Sequence, residues 1–344
     1  MIPPPGRSGY AIPAEWAPHR ATWIAWPHNR ADWPGKFEPI PWAYGEIVRV
    51  LSRNERVCIL VQNPAARHAA KSLLKKVGVD LKKVDFFPIP TDRVWTRDSG
   101  AIFVTDGTGN RIATHWKFNG WAKYPNHKRD DLVAARIAKA LKVPEYPVTA
   151  EGRDVVMEGG AIDVDGQGTL MATEECLLSK VQARNPKLGR DGIERVFADV
   201  LGIRRVVWLD RGIVGDDTHG HIDDLARFVA PGRVVLCQEL NEKDENHEIL
   251  RINLERLQAE KLEVIPLPMP SPIVFDRQRV PASYANFLIA NGVVIVPTFN
   301  DPKDRIALGI LADCFPDREI VGIHCVDFVW GLGTLHCATQ QEPM

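Results

Sequence analysis

A candidate nucleophile lies near the end of the chain, in Gly331-Leu332-Gly333-Thr334-Leu335-His336-Cys337-Ala338-Thr339-Gln340-Gln341. A cysteine after two closely spaced glycines suits thiol chemistry, because glycine lets the backbone approach a ligand. His336 precedes Cys337, yet neighbouring side chains on a strand leave on opposite faces. His336 is therefore expected to satisfy a hydrogen bond on the far face, and the acid or base for the thiol must come from elsewhere.

The richest stretch elsewhere is Asp216-Asp217-Thr218-His219-Gly220-His221-Ile222-Asp223-Asp224. In extended chain, His219, His221 and Asp223 share a face. One reading makes these three the metal ligands of a metal-dependent hydrolase, since histidine is a common metal ligand. Against it, Asp224 stands where the metallo-β-lactamase pattern has another histidine. The other reading pairs one of the histidines with Cys337 in a thiol site flanked by Asp98, Glu158 and Asp223.

Positioning such scattered residues requires a repeated element. The stretch around Asp98 to Val104, then Glu158 to Val164, then Asp223 to Val229, and more weakly Phe287 to Ala290, each precedes a turn and a second apolar strand. Amphipathic helices follow, marked by Val133, Ile137 and Leu141, by Ile193, Phe197 and Leu201, by Leu250, Leu254 and Leu257, and by Ile306 and Ile310. Each helix leads into a short apolar strand, so the unit is strand, strand, helix, strand. The Cys337 segment begins a fifth unit that runs out of chain, while the strand Ala21 to Trp26 has no preceding partner. The expectation is an α/β protein, a five-bladed propeller of units about sixty residues long, closed by pairing of its terminal strands. A doubly wound parallel sheet is the alternative, and the recurring hairpins count against it. In such a ring Asp98, Glu158, Asp223, a residue near Tyr284, and Cys337 or its neighbour are register equivalents that converge on the axis.

Composition bounds this picture. With 344 residues, 45% of them apolar, the chain can bury a large core, and residues 1–344 are read as one catalytic domain. A formal net charge of −1 gives no global pull toward nucleic acid or an anionic membrane. Six scattered cysteines without a C-x-x-C pattern argue against a disulfide framework or structural zinc. The N-terminal Met1-Ile2-Pro3-Pro4-Pro5-Gly6 has no basic and apolar leader pattern, and no apolar run reaches a membrane span, so a cytoplasmic protein is expected.

Carboxylates crowded around one cavity repel one another unless a cation is present. A planar guanidinium is a fitting cation: two carboxylates can grip its nitrogens while the central carbon stays open to a thiolate. Histidine could then protonate departing ammonia, and the ligand's charge would favour loss of the thiol proton.

The motifs Trp95-Thr96-Arg97-Asp98-Ser99-Gly100, Glu158-Gly159-Gly160, Thr173-Glu174-Glu175-Cys176-Leu177-Leu178, Gly220-His221-Ile222-Asp223 and His336-Cys337-Ala338-Thr339-Gln340-Gln341 occur in that order. With Trp26-Pro27-His28-Asn29, Asp32-Trp33-Pro34-Gly35 and Pro281-Ala282-Ser283-Tyr284-Ala285-Asn286-Phe287, the chain resembles the agmatine deiminase family, within the bacterial peptidyl-arginine deiminase-like group. The resemblance spans nearly the whole chain. It implies a pentein fold, a cysteine nucleophile and no metal or other cofactor. It also implies Cys337 as nucleophile, His221 as general acid and base, Asp98 and Asp223 as guanidinium clamps, and Glu158 as the acid orienting the histidine. The family's tail carries three glycines and Asn before Ile-His-Cys, whereas this chain has Gly331-Leu332-Gly333-Thr334-Leu335.

Neighbouring residues have blander readings. His219 is expected beside the site, and Arg97 in a structural ion pair, since an active-site cation would repel the substrate. Asp217 is a candidate for a substrate amine, and Trp95 for an apolar wall along a substrate stem. Trp116, Trp121 and the other five cysteines are read as core. The expected partner is a small cationic guanidino compound, agmatine first, with arginine or peptidyl-arginine as alternatives and a homo-oligomer possible. A non-catalytic polyamine or arginine binder is a further reading, but it needs no nucleophile at Cys337.

Overall fold

The computed structural model describes residues 3–344; Met1 and Ile2, part of the N-terminal stretch read for a leader, lie outside the described residues. The chain is mixed α/β, and its strands fall into five principal sheets. Four of them repeat one plan: two antiparallel strands, a helix, and a third strand parallel to the second. In the first such sheet Ile102–Thr105 pairs antiparallel with Arg111–His115, which runs parallel to Glu145–Pro147 after the helix Val133–Leu141. Asp163–Val164, Thr169–Thr173 and Arg205–Leu209 make the next, around the helix Arg190–Leu201. Ala226–Ala230, Arg233–Gln238 and Glu263–Pro268 follow, with the helix Glu245–Ala259. Leu288–Ala290, Val293–Thr298 and Glu319–His324 complete the series with the helix Asp304–Cys314.

The fifth sheet joins the two ends of the chain. Thr339–Pro343 pairs antiparallel with His19–Ala25, which lies parallel to Arg56–Leu60 across the helix Ile40–Leu51. Trp23 is fully buried there and donates its indole N–H to Glu342 Oε2 at 2.9 Å, a bond between residues at opposite ends of the sequence. The orphan strand thus finds the expected partner. Val84–Phe87 adds a fourth strand parallel to Arg56–Leu60. Among the described residues the five sheets remain separate, and no single sheet closes on itself.

One local expectation is corrected. The stretch from Asp98 to Val104 is not one continuous strand: Thr96–Ser99 forms a helical turn, and the strand begins only at Ile102. Thr96 Oγ1 bonds both Trp23 O at 3.1 Å and Ala338 O at 2.8 Å, and Ser99 Oγ bonds Trp95 O at 3.0 Å. Those side-chain bonds hold the turn against the β preference of its flanks. Gly159–Ala161 and Ile222–Asp224 are likewise short 3₁₀ turns. Asp98, Glu158 and Asp223 therefore sit on or beside the turn that enters a sheet, not on its first strand. Cys337 also precedes its strand, which starts at Thr339. The register equivalence survives, shifted from strands to turns, where backbone can bend side chains toward a common centre. Because this segment is not extended, the alternation that would place His219, His221 and Asp223 on one face does not apply.

Candidate active site

These turns converge on a cavity of about 180 Å3 whose lining includes Cys337, Asp98, Trp95, Trp121, Asp217 and Leu332. Cys337 is 5% exposed. Its Sγ accepts a hydrogen bond from Asn286 Nδ2 at 3.1 Å and lies 3.7 Å from Asp223 Oδ2. Asn286 holds the loop itself, its Oδ1 accepting from Thr334 Oγ1 at 2.7 Å and from the His336 backbone N–H at 3.0 Å. Gly333 is closely packed: a Cβ there would lie 3.1 Å from Cys337 Cβ and the Trp95 ring, so one of them would have to shift by a few tenths of an ångström.

His221 is fully buried between two carboxylates. Its Nε2 is 3.6 Å from Glu158 Oε2 and its Nδ1 is 3.8 Å from Asp98 Oδ1. The loop that delivers it is tied down by Asp216, whose Oδ2 accepts the backbone N–H groups of Gly220 at 2.7 Å and His221 at 2.9 Å. Thr173, the cap of the helix Glu174–Leu178, donates its hydroxyl to Gly220 O at 2.5 Å. Gly160 fits because a Cβ would come within 2.5 Å of His221 Nδ1 and 2.9 Å of Asp98 Oδ1. Glu158 is gripped from behind by the buried Arg184, at 3.1 Å from Nε.

The two remaining acids are held differently. Asp98 accepts the Trp121 indole N–H at 3.0 Å and the Gly160 N–H at 3.1 Å. Asp223 Oδ2 accepts from His336 Nδ1 at 2.7 Å, while its buried Oδ1 has no partner among the described residues. An unpartnered carboxylate oxygen in a buried site is costly until a donor arrives.

Charge follows from this packing. Burial pushes the Cys337 thiol well up, and Asp223, Asp224 and Asp98 add to the effect. Burial also raises Asp98 to about 6, with Asp223 and Glu158 reinforcing it against the pull of His221. For Glu158, burial is outweighed by Arg184 and His221, which bring it down to about 2. Burial lowers His221, but Asp98, with Cys176 and Glu158, outweighs it and holds the imidazole well above the ordinary histidine value. Asp223 is held down against burial by His336, while burial and Asp223 push Asp224 well up. The empty site therefore carries a neutral thiol, a cationic imidazole and an excess of carboxylate.

The sequence candidates Cys337, His221, Glu158, Asp98 and Asp223 are all brought together. His219 is not: its Nε2 faces Ser179 Oγ at 3.3 Å, so the trio His219, His221 and Asp223 does not form a ligand set. Trp95 lines the cavity. Asp217 does too, but Tyr124 OH at 2.6 Å and the Lys123 ammonium already occupy both its oxygens. Arg97 is buried in contact with Gln341 and lies 3.9 Å from Glu15, outside the cavity lining, as a structural cation should be. Sequence reasoning missed Asn286, Arg184 and Glu15 and read Trp121 as mere core. For Asn286 a signal existed, since it lies two residues beyond Tyr284, the register equivalent in its unit. Nothing local marked Arg184 or Glu15.

The family described as Porphyromonas-type peptidyl-arginine deiminase matches residues 11–343. The chain belongs to that family. Within it, the agmatine deiminase of Pseudomonas aeruginosa (strain LESB58) is 34% identical over 98% of this chain and 97% of the relative. A structure described as agmatine deiminase of Enterococcus faecalis catalysing its reaction superposes with a TM-score of 0.91 at 31% identity, covering 100% of this chain and 98% of that one. A cysteine-to-serine form of the C. jejuni agmatine deiminase with substrate bound gives a TM-score of 0.87 at 29% identity, over 97% and 96% of the two chains. No helix among the described residues is long and apolar enough to cross a membrane.

Proposed function

We propose that the chain hydrolyses agmatine to N-carbamoylputrescine and ammonia through a covalent cysteine intermediate. The observation that carries this reading is the Cys337 sulfur placed beside Asp223 in the cavity that Asp98 also lines, with Asp223 Oδ1 lacking a donor. A guanidinium satisfies that oxygen, neutralises the acids, and brings its carbon to the sulfur. Full-length similarity to agmatine deiminases supports the choice of substrate. Trp95, Trp330 and Leu332 crowd the cavity, which favours a small free guanidino compound over a peptide.

Binding of the cation lowers the cost of losing the Cys337 proton to solvent, so the thiolate forms when the substrate is present. The thiolate adds to the guanidinium carbon, giving a tetrahedral adduct. Its C–N bond breaks as His221 gives a proton to the leaving nitrogen, releasing ammonia and a thiouronium. His221, now able to accept, takes a proton from water attacking the same carbon. The second tetrahedral adduct expels the Cys337 thiolate and yields the ureido product. Asp98 and Asp223 clamp guanidinium nitrogens throughout, and Glu158 holds His221 and contacts the substrate. No metal or other cofactor enters this scheme.

The same reading treats residues 1–344 as one catalytic domain, a ring of five pentein units completed by the terminal sheet, working in the cytoplasm. The pairing of His19–Ala25 with Thr339–Pro343 and the repeated sheet plan support the ring.

The test is a ureido-product assay comparing agmatine, arginine and a blocked arginine peptide at equal concentration. Agmatine should be turned over fastest, and C337A and H221A should lose turnover while still folding. Full activity in either variant, or no ureido product from agmatine, would sink the assignment.

A further inference from the structure

The mouth of the cavity contains a second carboxylate with one oxygen left over. Asp32 sits at the end of the short turn Arg30–Asp32, which Asn29 caps by accepting the Ala31 N–H at 3.1 Å. Its side chain is 1% exposed, and it lines the same cavity as Cys337. Both of its donors lie on one oxygen: Arg93 NH1 at 2.7 Å and Asn29 Nδ2 at 3.2 Å, each to Oδ1. Oδ2 is buried and has no hydrogen-bond partner among the described residues. Burial raises the Asp32 carboxyl to about 6 even beside Arg93, a cost that a second donor with positive charge would relieve.

We infer that Asp32 Oδ2 receives the primary ammonium at the distal end of the substrate. This deepens the deiminase reading and rests on it. The guanidinium end is committed to Asp98 and Asp223 beside Cys337, so the far end of a linear substrate must lie toward the mouth. Two acids line that mouth. Each Asp217 oxygen already accepts one donor, from Tyr124 or Lys123, whereas Asp32 Oδ2 has none among the described residues. Arg93 does not contest this oxygen: its NH1 is committed to Asp32 Oδ1, and its guanidinium lies over the Tyr124 ring, 4.3 Å from the centroid. The pairing leaves Asp32 rigid, so the ammonium meets an oriented acceptor without ordering a loop. Trp95 and Leu332, lining the same cavity, would flank the apolar stem between the two charged ends.

The experiment compares agmatine with butylguanidine, which keeps the guanidinium and the stem but lacks the ammonium, in wild-type protein and in Asp32→Asn. Wild type should show a KM for butylguanidine about tenfold to a hundredfold higher, as expected for loss of a charge-assisted hydrogen bond. D32N should raise the agmatine KM toward the butylguanidine value, with the butylguanidine KM and both kcat values close to wild type. Equal KM values for the two compounds in wild type would overturn the contact without touching the deiminase reading, since both would still give ureido product. An equal rise for both compounds in D32N would mean that Asp32 only buttresses Arg93. If D32N does not fold, the wild-type comparison and D217N decide: collapse of the discrimination in D217N places the ammonium on Asp217 and overturns the proposal. Absence of ureido product from both compounds would instead remove the function reading.

Discussion

His336 Nδ1 lies 2.7 Å from Asp223 Oδ2, and the other ring nitrogen lies 2.7 Å from Glu15 Oε2. The ring thus bridges two buried acids, one on each nitrogen. Glu15 is in turn bonded to the buried Arg227 at 2.6 Å. The histidine next to Cys337 is thus a strut that fixes Asp223 and leaves Asp223 Oδ1 without a donor among the described residues.

Removing that strut should damage binding and stability together. His336→Ala leaves two buried acids facing each other, and loss of one partner from a buried pair costs about 3–5 kcal/mol. Thermal unfolding should shift down, and at a temperature where the variant is folded its agmatine KM should rise more than its kcat falls. H336A with wild-type Tm and KM would show that Asp223 is held by something else.

The pH dependence follows from Asp98. Its carboxyl is raised to about 6 chiefly by burial, so below that pH it is protonated and cannot clamp a cation. The kcat/KM profile should therefore have an acid limb near pH 6, activity increasing as pH rises through it. Trp121 donates to Asp98 Oδ2 and lowers its pKa, so Trp121→Phe should move the limb to higher pH. For stability the sign is opposite: a carboxyl raised on folding destabilises the fold as pH climbs from the unfolded value to about 6. Glu158, lowered to about 2, contributes stability above its unfolded pKa and loses it as pH falls toward 2. A profile flat from pH 5 to 8 in both proteins would contradict this account of Asp98.

These partnerships explain what could be read from the chain. The repeat plan was legible because hairpin, helix and following strand are encoded within each unit, and convergence of Asp98, Glu158, Asp223 and Cys337 followed from register. The turn at Thr96–Ser99 was not, because its hydroxyl bonds reach Trp23 and Ala338, far away in the chain. Glu15 is 321 residues from His336, so no local pattern could pair them. Asp217 already holds a donor on each oxygen, from Tyr124 and Lys123, which only packing reveals.

The glycine-flanked loop before Cys337 offers a further test. Leu332 adopts φ 66°, a left-handed conformation that costs a residue with a Cβ about 1–3 kcal/mol. Its neighbours cannot take the strain in its place: a Cβ on Gly331 would strike the Trp33 indole at 2.6 Å, and one on Gly333 would strike Cys337 and Trp95. Leu332→Gly should relieve the strain and enlarge the cavity, raising turnover of the blocked arginine peptide relative to agmatine. Gly333→Ala should cut kcat sharply with the fold intact. An unchanged peptide-to-agmatine ratio in L332G would mean that Leu332 does not set the mouth.

The link between the paired chain ends and the candidate site runs through Thr96. Its hydroxyl touches Trp23 O on the N-terminal strand and Ala338 O just past the nucleophile, while Asp98 lies two residues on in the same turn. One buried hydroxyl therefore sets Cys337 against Asp98 by way of the pairing of the chain ends. Deleting the first thirty or so residues would remove His19–Ala25 from between its two partner strands and unfold the sheet as well, so a subtler change is more informative. Thr96→Val keeps shape but removes the one hydroxyl hydrogen that Trp23 O and Ala338 O share, a loss of about 1–3 kcal/mol. Its kcat should fall beyond what reduced stability explains, measured well below its Tm, and Thr96→Ser should restore most of the rate. If T96V keeps full kcat, the position of Cys337 does not depend on this junction, and the terminal pairing serves stability alone.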